Sequence, residues 1–207
     1  MTESETELQG SSPSGSEQTA CPPSQGCSQE LLRGNPQVVL ERLTQGDPLG
    51  LALRVRRYLY GRRFLMDEER IVLATTALVA RNAPRYRGRP TLERWLDRQI
   101  ESCAEAHRYG VDESRSKGVP VGKHWARLAR GFGLEPEALD CACRRFHGLP
   151  FESREAFFRL VLERRSIESL VYRGGRQAPE IAKEARRALS HFIHLKPNRV
   201  NRHGHGG

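Results

Sequence analysis

The stretch DEERIVLATTALVARNAPRYRGRPTLERWLDRQIESCAEAHR, Asp67 to Arg108, decides the fold class. Asp67, Glu68 and Glu69 put negative charge at the start of a helix, where it complements the helix dipole. That helix is expected to run to about Asn82 and to stop before Pro84, because a proline interrupts the backbone hydrogen bonds of a helix interior. Pro90 suits the first turn of a second helix. There Leu92, Trp95, Leu96, Ile100, Cys103 and Ala104 recur at the spacing of one helix face. The period is helical throughout, so helices rather than strands are predicted.

The same period continues on both sides. Upstream, Val38, Val39 and Leu43, then Leu51, Leu53, Val55 and Leu59, predict two short helices separated by Gly46-Asp47-Pro48. Downstream, helices are expected around Trp125 to Ala129, from Pro136 to Phe146, and from Ser153. Ser153 is the predicted N-cap of the last, with Ala156, Phe157, Leu160 and Val161 as its buried stripe. Residues 110–123 are polar and broken by glycine and proline, as a connection between units would be. No stretch alternates with period two long enough to require a sheet. The predicted fold is all-α, with two small helical units, 31–109 and 124–195, joined by the linker 110–123. Residues 1–30 have Leu8 as their only large aliphatic side chain and are expected to form a disordered acidic tail. Residues 196–207 are expected to be a flexible C-terminal tail.

Charge narrows the class of partner. The 207 residues carry 34 basic and 25 acidic side chains, net +9, but the split is uneven. The first thirty hold five carboxylates and no Lys or Arg, which leaves the remaining 177 residues with +14. A cationic body favours a polyanionic partner. The longest mainly apolar run, Ile71 to Ala80, is far short of the roughly 20 residues a membrane span needs, so no membrane insertion is expected. The first thirty residues lack the basic start and apolar stretch of a secretory signal. Five cysteines, an odd number and widely spaced, point to a reducing interior, and the expected location is cytoplasmic.

The stretch from Glu163 to His194 carries a second pattern. A helix ending near Arg165 is followed by a short apolar helix (Ile167, Leu170, Val171), then Gly174-Gly175, then a helix opened by Pro179 and Glu180. Ile181, Ala185, Leu189 and Phe192 form its inward stripe, and Lys183, Arg187, Ser190 and His194 fall on another face with Arg186 nearby. A short helix, a glycine turn and a basic amphipathic helix are the parts of a helix-turn-helix unit. Lys and Arg on the outer face can pair with phosphates. Arg176 and Gln177, at the helix start, are residue types that pair bidentately with guanine and adenine. The same pattern also describes a solvated surface helix.

Other motifs are weaker. Cys141-x-Cys143 with His147 invites a metal reading, but residues two apart on a helix point away from each other, and two buried core cysteines are expected instead. His203-Gly204-His205 closes the flexible tail. His191 and His194 add phosphate contacts to the basic helix, most strongly when protonated. Gly174-Gly175 lacks the lysine and serine of a phosphate-binding loop, and no nucleophile-base order stands out. An enzyme, a cofactor and a metal are therefore not expected.

Two blocks resemble, in order, bacterial sigma factors of the extracytoplasmic-function type. Asp67 to Arg108 resembles their region 2, with Pro84, Tyr86-Arg87-Gly88, Trp95-Leu96 and Arg98 in register. Leu149 to Leu189 is similar to their region 4, through Leu149-Pro150, Arg154-Glu155-Ala156-Phe157, Ser166 and the closing Ala185-Arg186-Arg187-Ala188-Leu189. Together they cover about 80 of the 207 residues. The resemblance implies a region 2-like bundle at 31–109 and a region 4-like helix-turn-helix at 124–195. It implies promoter DNA and the RNA polymerase core as partners, with an anti-sigma factor as a further partner of the class. Tyr86, Arg87, Trp95 and Arg98 would then lie on the promoter-melting surface, where an aromatic ring stacks on an unstacked base. For Trp95 the competing role is core packing beside Leu92 and Ile100. Arg176, Gln177, Lys183, Arg186 and Arg187 would face the upstream element. Asp67, Glu69, Arg70, Leu73 and Ala74 would occupy the polymerase-docking helix. Where the family carries further acidic and Gln-Glu residues on that helix, this chain has Arg70, Leu73 and Ala74. That departure keeps two alternatives open: a DNA-binding regulator without polymerase binding, and a protein–protein adaptor on a sigma-like scaffold.

Overall fold

The computed structural model describes residues 30–110 and 120–193, and these are all-α. The expected acidic tail other than Glu30, most of the linker, His194 and the C-terminal tail lie outside the described residues. The helices are α1 (Pro36–Thr44), α2 (Leu51–Arg62), α3 (Glu68–Asn82), α4 (Leu92–Arg108), α5 (Lys123–Gly131), α6 (Pro136–His147), α7 (Phe151–Phe157), α8 (Ile167–Gly174) and α9 (Ala178–Ile193). A 3-10 turn, Ala83–Arg85, follows α3, and a π turn, Phe158–Leu162, follows α7.

Capping fixes the starts of the helices. Asn35 accepts from the Val38 amide (3.0 Å), and Asp47 accepts from the Leu51 and Ala52 amides (2.7 and 2.9 Å). Asp67 accepts from Arg70, as the acidic start predicts, and Ser166 caps α8. Two starts differ from expectation. Pro90 precedes α4 rather than opening it: Thr91 is the N-cap, and the Tyr86 hydroxyl donates to the Pro90 carbonyl (3.0 Å), tying the turn. Ser153 is no cap. α7 begins two residues earlier, after Pro150, and the buried Ser153 hydroxyl donates to Glu184 of α9. The segment before α8 also ends early, at Leu162, and Arg164 takes a left-handed φ of 53°.

The first half packs α1, α2 and α4 around α3. One cluster joins Val39, Leu43, Leu51, Val79, Leu92 and Leu96; another joins Val55, Leu59, Phe64, Ile71, Ile100 and Ala104. The second half is built on rings. Phe146, Phe157, Phe158 and Phe192 pack with Trp125 and Leu139, and Phe157 stacks on Phe192 with centroids 5.1 Å apart. Phe158 is buried in the π turn, which leaves Leu160 and Val161 half-buried. On α9 the inward stripe includes Ala188, and Leu189 is half-buried.

The connector between α2 and α3 binds the two halves together. Leu65 sits in the ring-lined core of the second half, and its amide donates to Nε2 of the buried His147 (3.0 Å). Asp67, beyond capping α3, accepts from the Gly122 amide (2.8 Å). Around this seam Tyr60 donates to Glu163 (2.6 Å), Arg63 pairs with Glu155 (3.2 Å) and Arg70 with Asp140 (3.3 Å). Arg108 and Arg154 both donate to the His147 carbonyl (3.2 and 2.8 Å).

Candidate nucleic-acid interface

Two clusters of basic residues stand on the surface. The first surrounds the turn between α3 and α4. Gly88 there has φ of 78°, a conformation that costs glycine little. The Tyr86 and Trp95 rings lie against each other, centroids 4.9 Å apart and 35° between planes, both half-buried. Burial, with help from Glu93, raises the Tyr86 phenol above its ordinary pKa. One face of each ring is thus used in packing, and Trp95 also lies against the α1–α4 core. Arg87 and Arg98 are exposed. So are Arg85, Arg89 and Arg94, which the motifs did not single out. Beside them an open groove of about 630 Å³ is lined by Asp47, Leu53, Arg54, Arg57, Tyr86 and Glu93. Its existence depends on the approach of α2 to the turn, which no local signal announces.

The second cluster is on α9. The Gln177 carbonyl accepts from the Glu180 and Ile181 amides (both 3.1 Å), so Gln177 lies at the helix start as predicted. Lys183, Arg186 and Arg187 are exposed on one side, and Arg176 is half-buried in the preceding turn. Of the neighbouring carboxylates, Glu184 is turned inward to Ser153. Arg87, Arg98, Arg176, Lys183, Arg186 and Arg187 make no ion pair among the described residues. By contrast Arg54, Arg56, Arg62 and Arg63 of the α2 region are all paired with carboxylates. His191 is pushed below its ordinary pKa by burial and by the charges of Arg145 and Arg187. The protonated form that would contact phosphate is therefore disfavoured, and the exposed Arg145 joins the cationic patch that the α9 period alone does not reveal.

The docking residues expected on α3 divide. Glu69 and Leu73 are exposed and Ala74 is half-buried. Asp67 is buried at the seam, and Arg70 is held between Asp67 and Asp140. Burial raises the Asp140 carboxyl, and Arg70 partly offsets that rise.

The cysteine motif separates. Cys143 is buried, its thiol pushed well up by desolvation, whereas Cys141 is exposed, contrary to the expectation that both lie in the core. Nε2 of His147 already accepts the Leu65 amide. Comparison of the chain with protein-family models, with curated proteins and with solved structures gives no match.

Proposed function

We propose that the chain is a sigma-factor-like transcription initiation protein that binds promoter DNA through the two basic clusters and the RNA polymerase core through α3. The observation that carries this reading is the placement of cations. The basic residues assigned to DNA by the family resemblance make no ion pair among the described residues, as is also true of Arg57, Arg85, Arg89 and Arg94 beside the first cluster, while Arg54, Arg56, Arg62 and Arg63 are paired with carboxylates. Unpaired arginine and lysine on a helix surface can replace the counterions of a phosphate backbone. The paired Tyr86 and Trp95 rings, with arginines around them, supply the stacking and backbone contacts that an opened strand requires.

A specific observation favours a second reading, a DNA-binding regulator without the polymerase. Two of the five docking residues, Asp67 and Arg70, are engaged inside the chain. Pull-down with core polymerase at low salt, followed by run-off transcription, separates the two. Binding with promoter-dependent transcripts supports the first reading. DNA binding without core association supports the second.

A further inference from the structure

The outward ridge of α3 carries Glu69, Leu73, Ala77 and Arg81, four exposed side chains spaced four residues apart. Ile71, Thr75 and Val79 hold the buried side of the helix. Leu73 is 52 % exposed, although it is a large aliphatic residue on a helix that packs against three others. Ala74 and Leu78 flank it, half-buried. Neither Glu69 nor Arg81 has an ion-pair partner among the described residues.

The ridge is complementary to its own reverse: acid, large apolar, small apolar, base in one direction, and base, small apolar, large apolar, acid in the other. Its centre is level with Thr75. A two-fold axis at that level brings a second α3 alongside in the antiparallel sense. Glu69 then faces Arg81 of the second copy, and Arg81 faces Glu69 of the second copy, so both end charges are answered at once. Leu73 meets the small Ala77 of the second copy, twice by symmetry, and a large residue against a small one allows helix axes to approach to roughly 8–10 Å. Self-complementarity of this kind is the requirement for an isologous dimer. A parallel pairing would set like charges opposite each other at both ends.

We propose that this ridge of α3 is a self-association face, and that its occupant is the α3 ridge of a second copy of the chain. The inference needs neither DNA nor polymerase. One helix pair buries less than the ~1,200–2,000 Å² of a standard stable interface, so the dimer forms reversibly and depends on concentration. It also weakens with salt, since two exposed ion pairs frame it.

Sedimentation velocity of the full chain over a concentration series reads the result directly. The wild type shows a reversible monomer–dimer equilibrium. Arg81→Glu alone and Glu69→Arg alone weaken it about tenfold or more, because each sets like charges opposite each other at both ends. An equimolar mixture of these two variants recovers the dimer, since every facing pair is again of opposite sign. Leu73→Lys, at an exposed position and with an unchanged thermal melt, abolishes it and keeps the test valid if a charge reversal lowers stability. A chain that stays monomeric at all concentrations overturns the proposal. So does a dimer indifferent to Leu73→Lys, or one that the mixture fails to restore.

Discussion

Asp67 does two jobs with one carboxylate: Oδ1 caps α3 through the Arg70 amide, and Oδ2 receives the Gly122 amide from the other half of the chain. Gly122 owes its identity to this contact. A Cβ at position 122 would collide with Asp67 Oδ1 and press on the Glu69 carboxyl. Gly122→Ala must displace a buried carboxylate from its donors, at about 1–3 kcal/mol. The expected outcome is a lower thermal midpoint with the helical content kept, read by circular dichroism. His147 supplies a second residue-scale prediction. It is buried, accepts the Leu65 amide on Nε2, and is pushed from 6.5 down to about 3, chiefly by desolvation and then by Arg154. The folded state therefore keeps it neutral, while the unfolded chain takes up a proton below pH 6.5. Stability from this group is full above pH 6.5 and is lost between 6.5 and 3, by up to about 1.4 kcal/mol per pH unit. Denaturant midpoints at pH 7 and pH 5 should differ less in His147→Gln than in the wild type.

At the scale of the element, α9 shows what a sequence can and cannot disclose. Its inward stripe and outward cations follow from a 3.6-residue period, and Lys183, Arg186 and Arg187 are exposed as that period requires. The start of α3 is equally legible, because Asp67 acts on an amide three residues away; Asn35 does the same for α1, a cap the helical period alone does not single out. Ser153 misleads for the opposite reason. Its local context is that of a cap, but a partner on α9 claims the hydroxyl. The exposure of Cys141 and the groove beside Tyr86 are set by packing between elements distant in sequence, which no local spacing encodes. If the α9 cations lie on phosphates, Lys183→Ala with Arg187→Ala should reduce the slope of log affinity against log salt by about two, with weaker binding to all duplexes. Fluorescence anisotropy over a salt series checks this, and an unchanged slope would remove α9 from the interface.

In the whole molecule the two helical halves meet through a short connector rather than a broad apolar face. Leu65 enters the core of the second half, and polar contacts surround it: Tyr60 with Glu163, Arg63 with Glu155, Arg70 with Asp140. Burial alone would raise the Glu163 carboxyl, but hydrogen bonds from Tyr60, Arg159 and Arg165 hold it below its ordinary value. These contacts join residues up to 103 positions apart, beyond the reach of any sequence pattern. The seam buries Asp67 and engages Arg70, and it leaves Glu69 and Leu73 exposed and Ala74 half-buried, so the proposed docking rests on these three. Polymerase binding is thus the property on which the sigma-like account is most exposed. Co-sedimentation of the full chain with core RNA polymerase at low salt tests it most directly. The expected result is a stoichiometric complex that Leu73→Lys weakens. Failure of the chain to associate with core, in a preparation that still binds duplex DNA, would contradict it.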